Sequence, residues 1–180
     1  MKILIPPPPS DLSRIAELPF VARRYANPIT PRDKMALLDE ELHEYFSEKL
    51  VELGLPSHSE ELHDIADSLV PIILAHKNHF NSARPYQLAL HANIPFEYDD
   101  LSSARTPSYP SGHTTQAYVI AFALSDAYPE HRTTWLTTAK EIAESRIDRG
   151  VHVPSDNDAG RQLALKLFTI SKLRPSLKQD

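Results

Sequence analysis

Residues 108–124 read Ser-Tyr-Pro-Ser-Gly-His-Thr-Thr-Gln-Ala-Tyr-Val-Ile-Ala-Phe-Ala-Leu. Ser111 has the hydroxyl of a helix N-cap and the apolar run Ala117–Leu124 follows, which predicts a helix starting near Ser111. With Leu69–Ala75 this is the longest apolar stretch in the chain, and both fall far short of the roughly 20 residues of a membrane span. Helical spacing recurs on either side of it. Thr30-Pro31-Arg32-Asp33 reads as an N-cap, a proline at the first helical position and an acidic third residue. Met35, Leu38, Leu42, Tyr45, Phe46, Leu50 and Leu53 then form one continuous stripe, which Gly54 closes. A second helix is predicted from a Ser59 cap through Leu62, Ile65, Leu69, Ile72 and Ile73 to Lys77, kinked at Pro71. Two more follow the central one: from about Glu130 through Trp135, Ala139, Ile142 and Ile147 to Gly150, and from near Ser155 through Leu163, Leu167 and Phe168. Short helical pieces fit 12–18 and 85–91. No alternating β-branched run is long enough for a sheet. The expected fold class is all-α, a compact helical bundle with longer loops at 92–110 and 148–154.

The chain has 180 residues, 41% hydrophobic and 24% charged, an ordinary globular mix that can bury a sizeable core. A formal charge of −5 argues against non-specific nucleic-acid binding and against docking on an anionic membrane. The absence of cysteine excludes disulfides, zinc–thiolate sites, iron–sulfur clusters and cysteine nucleophiles. No signal peptide or transmembrane segment is visible, so the expectation is a soluble, cytoplasmic protein. Pro6–Pro9 should be a stiff, polyproline-like surface arm. The expected organisation is therefore a Pro-rich arm at 1–10 and a single domain at 11–180.

Three polar clusters punctuate the helices. The first, 77–85, holds Lys77 near a helix end and Arg84 before a proline; taken alone, cations there only complement a helix dipole. The second is Tyr109-Pro110-Ser111-Gly112-His113-Thr114. A helix N-terminus offers free N–H groups, Gly112 lets an anion approach the backbone, Ser111 adds a hydroxyl and His113 a titratable ring. The third is Ser145-Arg146, His152 and Asp156. Arg146 lies on the stripe Trp135, Ala139, Ile142, which should face the core, where a guanidinium is costly without an anion. His152 precedes Asp156 by one helical turn, so the carboxylate can hold the ring in one tautomer. A structural Arg–Asp pair with an incidental histidine also fits this segment. Together the clusters provide three cations, neutral donors, two histidines and an acid, a set suited to a tetrahedral oxyanion such as phosphate or vanadate without a metal.

The spacing Lys-x6-Arg-Pro (77–85), Pro-Ser-Gly-His (110–113) and Ser-Arg-x5-His-x3-Asp (145–156) resembles the tripartite signature of the type-2 phosphatidic acid phosphatase and vanadium haloperoxidase superfamily. The wider context, Ser108 to Thr114 and Gly150-x-His152-x-x-Ser155-Asp156-x-x-Ala159, is most similar to the soluble class A non-specific acid phosphatases. The resemblance implies the all-α bundle of that superfamily and a metal-independent phosphatase acting on soluble phosphate monoesters through a phosphohistidine intermediate. It implies that Lys77, Arg84, Ser111, Gly112 and Arg146 hold the phosphate oxygens. It further implies His152 as nucleophile, Asp156 as its orienting acid, and His113 as proton donor to the leaving group and then base for water. It implies no cofactor, with vanadate as inhibitor or transition-state mimic, a small phosphorylated substrate as partner, and, by analogy alone, a homo-oligomer. Class A enzymes usually carry a signal peptide and cysteines, and this chain shows neither. The alternatives are a vanadium-dependent haloperoxidase and a non-catalytic phosphate-binding module.

Nine histidines invite a metal site, but neither the His76/His79 nor the His58/His63 pair is joined by a carboxylate in a recognised ligand pattern, and no metal is expected. The acidic stretch Glu97-Tyr98-Asp99-Asp100 reads as a solvated loop or as a rim of the pocket.

Overall fold

A computed structural model describes residues 2–170 and Leu177. Among the described residues there is no strand, and the α-helices run in the order α1 (Asp11–Ile15), α2 (Leu18–Ala26), α3 (Met35–Glu40), α4 (Leu42–Glu52), α5 (Ser59–Phe80), α6 (Pro85–His91), α7 (Gly112–Ala127), α8 (Arg132–Asp148) and α9 (Pro154–Ile170). The central helix is α7, which packs against α4, α5, α8 and α9. Its apolar residues face several neighbours at once: Val119, Ile120, Ala121 and Leu124 are all buried. Ile120 and Leu124 join Phe46, Leu50, Leu62, Trp135 and Ile142 in one core cluster, and Val119 joins Leu69, Ile73, Leu163 and Leu167 in a second. No helix among the described residues is long and apolar enough to cross a membrane.

The stripe from Met35 to Leu53 is two helices rather than one. Glu41, at φ −137° and ψ 48°, separates α3 from α4. Leu38 and Leu42 both stay buried across the break, so the apolar periodicity carries no trace of it. Nor does Thr30 cap a helix. Its N–H and Oγ1 donate to Asp148 Oδ2 at 2.8 and 2.6 Å, because a buried carboxylate at the end of α8 needs those donors more than an exposed helix end does. Ser59 is likewise not a cap: its hydroxyl donates to Glu44, and the residue before α5 is His58 in the left-handed region at φ 49°. Ahead of α1, Ile5 is buried in the second core cluster, and Tyr109 OH donates to the Pro6 carbonyl at 2.9 Å.

Gly160 sets how closely α9 approaches the start of α7. A Cβ there would lie 2.7 Å from the Ser111 carbonyl oxygen and 2.9 Å from Thr114 Cβ. In an isolated helix alanine would be favoured over glycine by about 1 kcal/mol. Here overpacking costs about 1–3 kcal/mol and outweighs that preference. Gly160→Ala is expected to lower the melting temperature; a rise would show that the two helices separate freely.

Candidate active site

The last turn of α5, the segment before α6, the start of α7, the end of α8 and the start of α9 converge. Lys77 is buried on α5, and its Nζ donates to the carbonyls of Pro107 and Ser108 at 2.6 and 3.2 Å. Burial, with the Arg84 charge beside it, pushes the ammonium well below the ordinary lysine range. Arg84 is held extended by the proline that follows it (φ −73°, ψ 159°). Its Nε donates to the Thr106 carbonyl and its Nη1 to the Val151 carbonyl, each at 2.8 Å, and Nη1 also lies 3.1 Å from His152 Nε2. Burial lowers the guanidinium to about 10.

That last contact fixes the tautomer of His152. A guanidinium can only donate, so Nε2 must present its lone pair and the ring proton sits on Nδ1. Nδ1 donates to Asp156 Oδ2 at 3.1 Å. Burial, then Arg84, lowers the imidazole well below its usual range, so His152 is a neutral base at pH 7. Asp156 is wholly buried in the first turn of α9. Burial alone would raise its carboxyl; the hydrogen bond from His152 and, once the ring is protonated in acid, its charge, with Arg14 and Ser108, more than offset this and hold it far below the carboxylate range. Oδ2 accepts from Ser108 Oγ at 2.6 Å and from the Val153 N–H at 3.1 Å, and Oδ1 accepts from Arg14 Nη2 at 3.0 Å.

Arg146 faces inward from α8, as its stripe requires, and the anion that meets it is Asp39. Nη1 donates to Asp39 Oδ1 and Nη2 to Ser103 Oγ at 3.1 Å, while Nε is buried with no hydrogen-bond partner. His113 Nε2 lies 2.8 Å from the Asp39 carbonyl and 3.3 Å from its Oδ1. Burial, then Arg146, depresses His113 to about 3, against the opposing pull of Asp39. Asp39 itself is lowered: burial raises it, and Arg146, Ser103 and His113 outweigh that.

At the start of α7, Ser111 Oγ exchanges a hydrogen bond with Thr114 Oγ1 at 2.9 Å and accepts from the Thr114 N–H, while its own N–H donates to the Asp156 carbonyl at 3.0 Å. The donors left by helix geometry are therefore the N–H groups of Gly112 and His113. A Cβ on Gly112 would meet Ile73 Cγ2 at 3.4 Å and Lys77 Cε at 3.7 Å, tight but not forbidden.

The eight residues singled out from the sequence thus form two neighbouring groups: Lys77, Arg84, His152 and Asp156 with Ser111 and Gly112 at the start of α7, and Arg146 with His113 on Asp39, the charges of the second acting on Lys77 and Arg84 of the first. Four that complete them were not singled out as site residues. Ser108 stood within the quoted motif and its hydroxyl reaches Asp156. Ser103 sits in the 92–110 loop. Arg14 and Asp39 lie 142 and 107 positions from the residues they pair with and carry no local signal. Nor is the acidic stretch simply solvated, since Asp99 accepts from Arg149 Nε at 2.7 Å. Among the described residues no group of three histidines or carboxylates is placed to hold a metal. His76 is a packed residue, its Nδ1 bonded to the Ile72 carbonyl and its Nε2 accepting from the Leu4 N–H.

The family model described as PAP2 superfamily matches residues 65–176, which include every one of the eight residues. The chain belongs to the PAP2 superfamily. Its relatives include a non-specific acid phosphatase of Salmonella typhimurium, 32% identical over 104 residues, or 58% of this chain and 41% of that protein. An acid phosphatase of Zymomonas mobilis is 35% identical over 88 residues, covering 49% of this chain and 33% of that protein. The alignments therefore span less than half the length of these PAP2 relatives. Among solved structures, the first transmembrane PAP2-type phosphatidylglycerolphosphate phosphatase from Bacillus subtilis superposes with a TM-score of 0.55 at 19% identity, over 93% of this chain and 87% of that one. That likeness shows the PAP2 all-helical fold.

Proposed function

We propose that this PAP2 chain is a phosphatase that hydrolyses soluble phosphate monoesters through a phosphohistidine on His152. The observation that carries the reading is the orientation of that ring: Nδ1–H on Asp156, and the Nε2 lone pair on the side of the Arg84 fork. An anion-binding module needs no such nucleophile.

Charge supports a monoester. Lys77, Arg84, Arg146 and Arg14 are buried, and the carboxylates facing them are the buried Asp156, the largely buried Asp39 and, at 3.9 Å from Arg14, the exposed Asp11. The buried cations outnumber the buried carboxylates at the site, an excess that favours a phosphate monoester dianion over a diester monoanion. Lys77, the two arginine forks and the N–H groups of Gly112 and His113 would take the phosphate oxygens, with Ser111 holding the first turn in place.

In the first step Nε2 of His152 attacks phosphorus. The P–Nε2 bond forms as the P–O bond to the leaving group breaks, and His113 delivers a proton to that oxygen. Asp156 stabilises the ring as it gains charge. In the second step His113 takes a proton from water, the hydroxide attacks phosphorus, the P–Nε2 bond breaks and inorganic phosphate leaves. His113 must be protonated in the first step, although burial holds it near 3. The dianion bound beside it favours the charged ring and raises its pKa.

The test is a panel of nucleotides, sugar phosphates, phospholipid head-group esters and pyrophosphate. Turnover of soluble monoesters is expected, with no effect of chelator and with inhibition by orthovanadate. Strong loss of rate with chelator would overturn the metal-independent mechanism, and preference for head-group diesters would overturn the substrate class.

A further inference from the structure

The geometry points to Arg14, outside the segment matched by the family model, as the positioning residue that keeps the Asp156–His152 pair in its reactive tautomer and charge state. The role rests on the phosphatase reading for its chemistry and on the geometry of α1 for its existence.

Helix α1 has an inverted burial pattern. Leu12 is 78% exposed, while the Arg14 side chain is 0% exposed. In this five-residue helix only Ile15 packs against a core cluster, and it is less buried than the guanidinium, so apolar burial alone does not explain why Arg14 points inward. Burying that charge is unfavourable unless a partner repays it. Asp11 Oδ1 lies 3.9 Å from Nη1 on an exposed side chain, and the two groups that accept hydrogen bonds from Arg14 both belong to the site. Nη2 alone makes the two bonds, to Asp156 Oδ1 and to the Ala83 carbonyl, each at 3.0 Å, and Ala83 is the residue before Arg84. Nη1 and Nε have no hydrogen-bond partner. Three residues on, Glu17 accepts from the Ser155 N–H at 2.8 Å and from the Ser155 hydroxyl at 2.6 Å. The start of the chain thus grips the first turn of α9 at two adjacent residues, one of them Asp156.

The consequence for His152 follows from how the carboxylate is divided. Oδ2 serves His152, Ser108 and Val153, and Oδ1 serves Arg14. Occupying Oδ1 pins the carboxylate plane so that Oδ2 stays on Nδ1–H, which leaves Nε2 as the lone-pair nitrogen. The Arg14 charge also draws on the carboxylate, which then supports a protonated imidazole less. The other groups acting on the pair are Lys77 and Arg84 on His152, and Glu17 and Tyr109 on Asp156. None of these bonds to Oδ1.

Two substitutions in the full chain separate charge from hydrogen bonding. Arg14→Gln keeps a donor and loses the charge. Arg14→Lys keeps the charge, and one ammonium can serve the two acceptors that Nη2 serves. The readouts are the pH profile of kcat/KM with an aryl phosphate and the ring ¹⁵N shifts of His152 followed on acidification. R14Q is expected to lower kcat by about 10–100-fold, the range for losing an outer partner of a functional histidine, and to move the acid limb and the ring protonation to higher pH. R14K is expected to return both towards wild type. Unmoved ring protonation in R14Q overturns the proposal, as does R14K behaving like R14Q. If R14Q does not fold, R14K decides alone: ring protonation like wild type supports the role, and a shift refutes it. The ring shifts need no turnover. A wild-type chain inert towards every ester would therefore sink the phosphatase reading while the Arg14 coupling is still read from the imidazole.

Discussion

Replacing His152 with alanine is expected to lower kcat on an aryl phosphate by about 10⁴-fold or more, because removing the nucleophile leaves only binding and electrostatics to act on the ester. The protein should stay folded. His152 is buried, but its ring is held by polar partners that retain others: Arg84 still has the Thr106 and Val151 carbonyls, and Asp156 still has Ser108, Val153 and Arg14. Orthovanadate should therefore still bind through Lys77, Arg84 and Arg146, though more weakly, and a thermal-shift assay with and without vanadate reads this directly. Added imidazole can enter the space the ring leaves and present a nitrogen to Arg84, so partial rescue of turnover is expected. Acid quenching of wild type during turnover should trap an acid-labile, base-stable phosphoryl group that H152A cannot form. Undiminished activity in H152A would remove the nucleophile and with it the two-step mechanism.

What could be read without coordinates follows a physical division. Residues of the three motifs sit at helix ends and in the short loops beside them; periodicity puts Arg146 and Asp156 on inward stripes, while Lys77, Arg84, His113 and His152 draw their roles from the resemblance. Residues that meet these side chains from elsewhere could not be read in either way. Asp39 follows Leu38 in what reads as an unbroken amphipathic helix, and on such a helix it would be an unremarkable solvated acid. Because α3 ends at Glu40, the Asp39 carbonyl is left for His113, and the Asp39 carboxylate meets Arg146. Arg14 sits in a five-residue helix too short to show a face. The predicted caps at Thr30 and Ser59 failed for a related reason. Capping is worth about 1 kcal/mol, and long-range carboxylates, Asp148 and Glu44, claimed those hydroxyls instead.

Asp156→Asn is expected to be nearly as severe as H152A in rate and worse in stability. The carboxamide must set its NH₂ either towards Nδ1 and the Val153 N–H or towards Arg14, and the Arg14 charge disfavours the second. In the first case the ring must turn to the other tautomer, placing a proton on Nε2 where the lone pair is needed. The same change in a Ser-His-Asp triad costs about 10⁴-fold, and a loss of that order is expected here. The stability effect has a separate origin. Asn cannot balance Arg14, which keeps only the exposed Asp11 at 3.9 Å as a counter-charge, and breaking a buried pair in this way costs about 3–5 kcal/mol. The pH dependence follows from the depressed carboxyl. In wild type the contribution of Asp156 is complete above the unfolded-state value of about 4 and disappears only as pH falls through the lower folded value. The gap in unfolding free energy between wild type and D156N should therefore be constant from neutral pH down to about 4 and narrow below it, as urea titrations can establish. Adding R14Q to D156N replaces a stranded cation by a neutral pair. The double variant should recover much of the lost stability and none of the lost rate. Recovery of both would mean that Asp156 serves packing alone; recovery of neither would mean that the Arg14–Asp156 contact carries little energy.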